Sequence, residues 1–426
     1  MTSEPPKEVY VWCWLPGATE PVVSGLLTRD SERYIFNYGR SYLERKAAIA
    51  LYEPELPLRR GAIQPLKGLE LAGCLRDGAP DAWGRRVIIN RMFGRRGADI
   101  DVGAVDELTY LIESGSDRIG ALDFQQSGSQ YEPRLRDGAP LEELLAITEH
   151  VEQGVPITPE LERAVFHGTS LGGARPKAAI ESGDAKFIAK FSSSSDVTNV
   201  VKSEFVAMRL ASRLGLNVAK VELTRAAGKD VLLVQRFDRE KAGNGWTRKA
   251  MVSALTLLGL DEMMGRYASY QDFAEIIRAR FTSPKQTLRE MFGRLVFNVL
   301  SGNTDDHARN HAAFWDGKAL TLTPAYDICP QNRTGREANQ AMVIVGEKRM
   351  STLAVCVEAA RHFLLSEKAA IEIIEAQIEG IRSHWAAMAE EASLSEVDTG
   401  TLWRRRFLNP YAFEGAPSGI AVMERN

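Results

Sequence analysis

Ser301-Gly302-Asn303-Thr304-Asp305-Asp306-His307-Ala308-Arg309-Asn310-His311, followed by Thr323-Pro324-Ala325-Tyr326-Asp327-Ile328, is the stretch on which the fold reading turns. Just before it, residues 286–300 place Leu288, Met291, Phe292, Leu295, Val296 and Val299 on one stripe. That spacing predicts a buried amphipathic helix running straight into an acidic loop. Between the two acidic segments, residues 312–315 and 319–322 read as short strands around the turn Asp316-Gly317-Lys318. A carboxylate at a loop tip can orient an attacking hydroxyl and accept its proton. In protein-kinase catalytic loops this Asp precedes an Asn by five residues, and Asp305 and Asn310 have that spacing. The Asn310 amide oxygen and the Asp327 carboxylate are hard oxygen ligands suited to magnesium.

Working upstream, phosphoryl transfer needs groups that hold a triphosphate. Residues 167–174 form a glycine-rich loop, continued by Arg175-Pro176-Lys177. Backbone N–H groups in such a loop can approach phosphate oxygens closely. It fits neither G-x-x-x-x-G-K-[ST] nor G-x-G-x-x-G, which argues against P-loop NTPases and Rossmann dehydrogenases. The loop leads into a hairpin, with strands at 177–181 and 185–191 and Ser182-Gly183-Asp184 as the turn. On the second strand Lys190 sits among apolar residues, where a kinase carries the lysine that contacts ATP. A helix follows in which Val201, Phe205, Met208 and Leu214 recur at helical spacing, ended by Gly215. Glu204 on it is a candidate ion-pair partner for Lys190. A second hairpin ends at Gln235-Arg236-Phe237, placed like a hinge whose backbone would bind adenine.

Each element alone has a plainer reading. A glycine-rich hairpin is usually a turn, Lys190 could guard an edge strand, Asp305-Asp306 could cap a helix, and Glu204 could be a solvated helix residue. His307 and His311 have the i, i+4 spacing of a zinc pair, but no glutamate follows His307. The order of the elements outweighs these readings: glycine-rich loop, strand lysine, helix glutamate, hinge, Asp-x4-Asn, second Asp.

Bulk properties agree. The 426 residues are 44% hydrophobic and 26% charged with a formal net charge of -3, so no global field draws the chain to nucleic acid. Cys13, Cys74, Cys329 and Cys356 lack metal or disulfide spacing and read as small core residues of a reducing compartment. Neither an apolar leader nor a membrane-length apolar run is present, so a cytoplasmic location is expected.

At these residues the sequence resembles the HipA family of toxin kinases. Residues 303–310 with 323–328 are very close to that family's signature, residues 170–177 resemble its nucleotide loop, and Gln235-Arg236-Phe237-Asp238-Arg239 its post-hinge segment. Gly78-Ala79-Pro80-Asp81-Ala82-Trp83-Gly84 is similar to its accessory N-terminal region. The resemblance implies an α+β, two-lobed fold akin to protein kinases and phosphatidylinositol kinases. A β-rich accessory module (1–112) would precede a kinase N-lobe (113–240) and a helical C-lobe (241–426). Asp305 would be the catalytic base, with Mg2+ on Asn310 and Asp327. ATP would lie against Ser170, Leu171, Gly172, Gly173, Ala174, Arg175, Lys177, Lys190, Gln235, Arg236, Phe237 and His307. Ser170 would be the autophosphorylated serine whose added charge silences the kinase. Implied partners are a helix-turn-helix antitoxin of the HipB type, operator DNA through the antitoxin complex, and an aminoacyl-tRNA synthetase as substrate, notably the glutamyl enzyme. Two other functions compete: a small-molecule phosphotransferase, and a catalytically inert corepressor of an antitoxin–DNA complex.

Overall fold

The computed structural model describes residues 5–94, 100–134, 139–157, 161, 173–194, 196–333 and 335–424. The fold is mixed α+β. It divides into two compact units: Met1–Ser195 with Thr224–Val252 and Phe314–Lys318, and Asp196–Leu223 with Ser253–Ala313 and Ala319–Asn426.

The first unit holds a sheet of β1 (Glu8–Cys13), β2 (Val22–Asp30), β3 (Arg33–Tyr38) and β4 (Leu122–Gln125) in the order β3-β2-β1-β4. The N-terminal region is therefore β-rich, as the resemblance implies, and β4 joins from far along the chain. A second sheet has β5 (Lys177–Ser182), β6 (Ala185–Phe191), β7 (Val221–Ala226) and β8 (Lys229–Gln235) in the order β5-β6-β8-β7. Its first hairpin turn is tighter than the expected Ser182-Gly183-Asp184. Gly183-Asp184 closes the first, and Ala227-Gly228, both at positive φ, closes the second.

Alternation along the strands sorts the side chains of this second sheet. Ala178, Ala189, Phe191 and Val231 face a core shared with Trp83 and Val87 of the Ala82–Phe93 helix and Leu144, Leu145, Ile147 and Val151 of the Leu141–Glu152 helix. Burying each large side chain there contributes about 1.5–3 kcal/mol.

In the second unit the Pro284–Ser301 helix is as predicted. It starts at Pro284, and Leu288, Met291, Phe292, Leu295, Val296 and Val299 are all 0% exposed. Beside it lie the Tyr270–Arg280, Leu353–Ala359 and Glu367–Glu391 helices. Serine caps start two of these four, Ser269 accepting from Asp272 N–H and Ser366 from Ala369 N–H. The Val200–Arg213 helix was expected with the N-lobe but belongs to this unit. Its apolar face seats against Glu367–Glu391, Arg209 pairs with Glu391 at 2.7 Å, and Lys202 donates to the Ser393 carbonyl at 2.7 Å. Conversely, the expected accessory module and the kinase hairpins share the first unit. All four cysteines are buried as free thiols. Among the described residues, no helix is long and apolar enough to cross a membrane.

Candidate active site

The Pro284–Ser301 helix stops at Gly302, whose φ of +72° turns the chain out of the helix. A Cβ there would lie 2.9 Å from the Arg406 carbonyl oxygen, so glycine is needed twice over. The next residues are extended, and their side chains alternate. Asn303 and Asp306 are buried, whereas Asp305 and His307 are exposed. Asp306 anchors the loop, its carboxylate accepting from the Tyr270 hydroxyl and lying 2.9 Å from His311 Nε2. Asn303 Nδ2 donates to Asn298 Oδ1 at 3.0 Å, and Thr304 O accepts from Ala341 N–H at 3.0 Å. Asp305 is thus an exposed carboxylate on a stretch of backbone fixed on both sides.

Asn310 closes the loop. Its Nδ2 donates to the Asp305 carbonyl at 3.3 Å, which leaves Oδ1 as the atom to meet a cation. Tyr326 Oη donates to the Arg309 carbonyl at 2.8 Å and so ties the second acidic segment to the loop. Arg294, buried on the helix, donates to Thr323 O at 2.9 Å and to Asn217 O at 3.1 Å while pairing with Glu290 at 2.8 Å. Asp327 sits at φ +59°, the left-handed region that costs a non-glycine residue energy. Strain of this kind accumulates at functional positions.

Electrostatics distinguish the two neighbouring acids. Partial desolvation pushes the Asp305 carboxyl above its ordinary value; Asp327 and Asp306 add to this and His307 opposes it. For Asp306, burial alone would raise the carboxyl, but His311 charge and the hydrogen bonds from His311 and Tyr270 hold it below its ordinary value. A raised, exposed carboxylate suits a general base, and a lowered, buried one suits an anchor.

The first unit presents the cations. Lys177 and Lys190 are direct cross-strand partners on β5 and β6. They share the face opposite the core with Ala179, Ile188, Leu232 and Val234. Like charges placed directly opposite each other are unfavourable. Gly173, at φ +102°, precedes the strand; its N–H is accepted by Asp81 and its carbonyl accepts from Trp83 N–H at 3.3 Å. Ala174 is exposed and Arg175 half-buried. Ser170, Leu171 and Gly172 lie outside the described residues.

The Arg236 side chain departs from expectation. It is 0% exposed and committed to structure, donating to Asp238 Oδ1 at 2.9 Å, to the carbonyls of Asp117 (3.0 Å) and Arg118 (2.6 Å), and pairing with Asp117 at 3.0 Å. Its N–H donates to Lys186 O at 2.8 Å, so it has no donor left for a nucleotide. Burial alone would raise the Asp117 carboxyl, but Arg236, Arg239 and Lys186 hold it well below the usual range. Gln235 pairs with Phe187 across the sheet, and the Phe237 ring packs edge-on against Phe314 at 5.9 Å. Glu204 is buried, not solvated. His307 and His311 differ sharply in exposure, and among the described residues no cluster of three or more His, Cys, Asp or Glu could hold a metal. Magnesium makes no such demand, because water and substrate phosphates supply most of its ligands. Asn310 Oδ1 and the Asp327 carboxylate suit it.

Residues 169–385 match the HipA-like C-terminal domain, and residues 18–125 the HipA N-terminal domain. The chain belongs to the HipA family. It is 29% identical over 146 residues to the Serine/threonine-protein kinase toxin HipA of Shewanella oneidensis, covering 30% of this chain and 34% of that protein. It is likewise 29% identical over 133 residues to Putative kinase Y4mE of Sinorhizobium fredii, covering 30% of this chain and 31% of that protein. The matched stretches thus span about a third of the length of these curated relatives. A solved structure of the Shewanella oneidensis toxin–antitoxin system, with HipA, HipB and operator DNA, matches 98% of this chain and 99% of its own chain. Its TM-score is 0.65 at 18% identity, a likeness of fold.

Within this HipA-family fold, sequence reasoning gave little weight to Asp306 and none to Tyr270, Arg294 or Asp117. Arg236, Asp238 and Arg239 were expected at or just after a hinge, and the structure instead gathers their side chains into a buried charged cluster with Asp117.

Proposed function

We propose that this protein is an ATP- and magnesium-dependent serine/threonine protein kinase acting as a bacterial toxin. The observation that carries this reading is the contrast between Asp305 and Asp306, one exposed and raised, the other buried and lowered, on a loop closed by Asn310. Asp305 orients the acceptor hydroxyl and takes its proton as the oxygen attacks the γ-phosphorus. The bond from that phosphorus to the β,γ-bridging oxygen breaks, and ADP leaves. Lys177 and Lys190 neutralise phosphate oxygens. Asn310 and Asp327 hold magnesium, which supplies charge neutralisation on the phosphates. The apolar side chains beside the lysines suit an adenine face, with the backbone of Gln235 and Phe237 as hinge.

Ser170 is the proposed self-modified serine. The solved relative crystallised with HipB and operator DNA supports a HipB-type antitoxin as partner, with DNA reached through it. The proposed acceptor is an aminoacyl-tRNA synthetase, and the proposed setting is the bacterial cytoplasm.

Labelled ATP with magnesium and cell extract tests the reading, wild type beside Asp305→Asn. Labelled protein with wild type alone supports it. Label confined to small metabolites would make the chain a small-molecule phosphotransferase. No label in either, with ATP still bound, would leave the corepressor role.

A further inference from the structure

The stretch after Asp327 is held against the catalytic loop. Gln331 N–H donates to Gly302 O at 3.0 Å, and Arg406 reaches Pro330 O at 3.2 Å, Thr198 Oγ1 at 2.8 Å and the Asn332 side-chain oxygen. Arg333 follows at once, and its environment is unusual. Nε, Nη1 and Nη2 are all closed off from solvent, and none has a hydrogen-bond acceptor among the described residues. What Arg333 does face is the Tyr411 ring, 5.8 Å from its guanidinium carbon. Glu414, a neighbouring acid, is taken by Arg336 at 2.6 Å.

A desolvated guanidinium without a counter-charge is costly, and one ring face offsets little of that. Its donors form a planar fork that fits the paired oxygens of a carboxylate or phosphate. A neutral amide would satisfy the donors and leave the charge. An oxyanion meets both needs.

We propose that Arg333 is a docking cation for an oxyanion, a carboxylate or phosphate, carried by the protein acceptor. The acceptor half of this rests on the kinase reading above; the anion half does not. Position favours the acceptor. Gly302, bonded to Gln331, lies three residues before Asp305, and Arg333 lies two beyond Gln331. At ~3.5 Å per residue, Arg333 is within roughly 25 Å of Asp305. That is inside the footprint of an ordinary protein–protein contact, about 800 Å² on each partner. Partial burial lowers the Arg333 pKa, in keeping with a cation awaiting its partner.

Two measurements on the full chain test this. In thermal melts, Arg333→Met should melt above wild type in phosphate-free buffer, because an unpaired buried charge is gone. Inorganic phosphate should raise the wild-type midpoint beyond chloride of equal ionic strength, leave Arg333→Met unmoved, and act weakly on Arg333→Lys. Equal phosphate effects on wild type and Arg333→Met, or an Arg333→Met protein less stable than wild type without phosphate, would overturn the anion site. In labelling assays, Arg333→Met should raise the acceptor KM about tenfold or more with the ATP KM and kcat nearly unchanged. An unchanged acceptor KM beside a lost phosphate response would overturn the docking role. Melts as expected with no protein labelled by wild type would remove the kinase reading and the docking role, and leave the anion site.

Discussion

The Asp81 carboxylate accepts the backbone N–H of Gly173, so the start of the Ala82–Phe93 helix holds the end of the glycine-bearing loop. Asp81 occupies the cap position of that helix but makes no side-chain cap bond. Its hydrogen bond to Gly173 ties the N-terminal region to the residues that lead into the Lys177–Ser182 strand.

Removing that bond should weaken ATP binding without unfolding the protein. A hydrogen bond to a charged group is worth about 1.5–3 kcal/mol, so Asp81→Ala should raise the ATP Kd roughly tenfold or more. Gly173→Ala should do the same by another route, because its Cβ would collide with Lys177 Nζ at a φ of +102°. Calorimetric titration with ATP analogues measures both. Wild-type affinity in the two variants would show that the loop end is not a nucleotide contact.

Asp327 is predicted to trade stability for function. Asp327→Gly relieves the left-handed strain at φ +59° and should raise stability by about 1 kcal/mol while abolishing phosphoryl transfer. Asp327→Ala loses the same ligand and keeps the strain, so it should melt below the glycine variant. Chemical denaturation of the three proteins checks the order.

The Asp306–His311–Tyr270 group should set part of the acid limit of stability. Asp306 has a folded pKa held below its unfolded value, so its contribution is present above ~3.9 and is lost as pH falls through the folded value. Asp306→Asn should flatten the decline in stability on the acid side. Asp306→Ala, which strands two buried polar partners, should cost about 3–5 kcal/mol at neutral pH. Urea unfolding across pH reads both effects.

The acid limb of kcat/KM should report Asp305. With its carboxyl raised, the base form is lost at a pH above the ordinary carboxylate value of ~3.9. His307 opposes that rise, so His307→Gln should move the limb to still higher pH. An unmoved limb would show that another group controls it.

Arg236 should matter for stability alone. Arg236→Ala leaves Asp117 and Asp238 buried with fewer counter-charges, at a cost of about 3–5 kcal/mol. Below the melting transition, ATP affinity should stay near wild type.

Much of the architecture was legible because its signals are local. The hydrophobic stripe from Leu288 to Val299, the turn at Gly183 and the stop at Gly215 each depend on a few neighbouring residues. The five-residue spacing of Asp305 and Asn310 is equally local. Domain membership was less legible, because the Val200–Arg213 helix is placed by Glu367–Glu391, more than 150 residues away.

By itself, the sequence determined which acids, lysines and glycines stand in what order, and so the family. Tertiary structure alone decided which of two adjacent aspartates faces solvent, that the Arg236 guanidinium is committed to Asp117 and Asp238, and that Arg333 has no hydrogen-bond acceptor among the described residues. The reason is physical: burial and charge pairing are set by residues distant in the chain, such as Tyr270 over Asp306, Asp117 on Arg236 and Tyr411 beneath Arg333. No spacing within a single segment encodes those encounters.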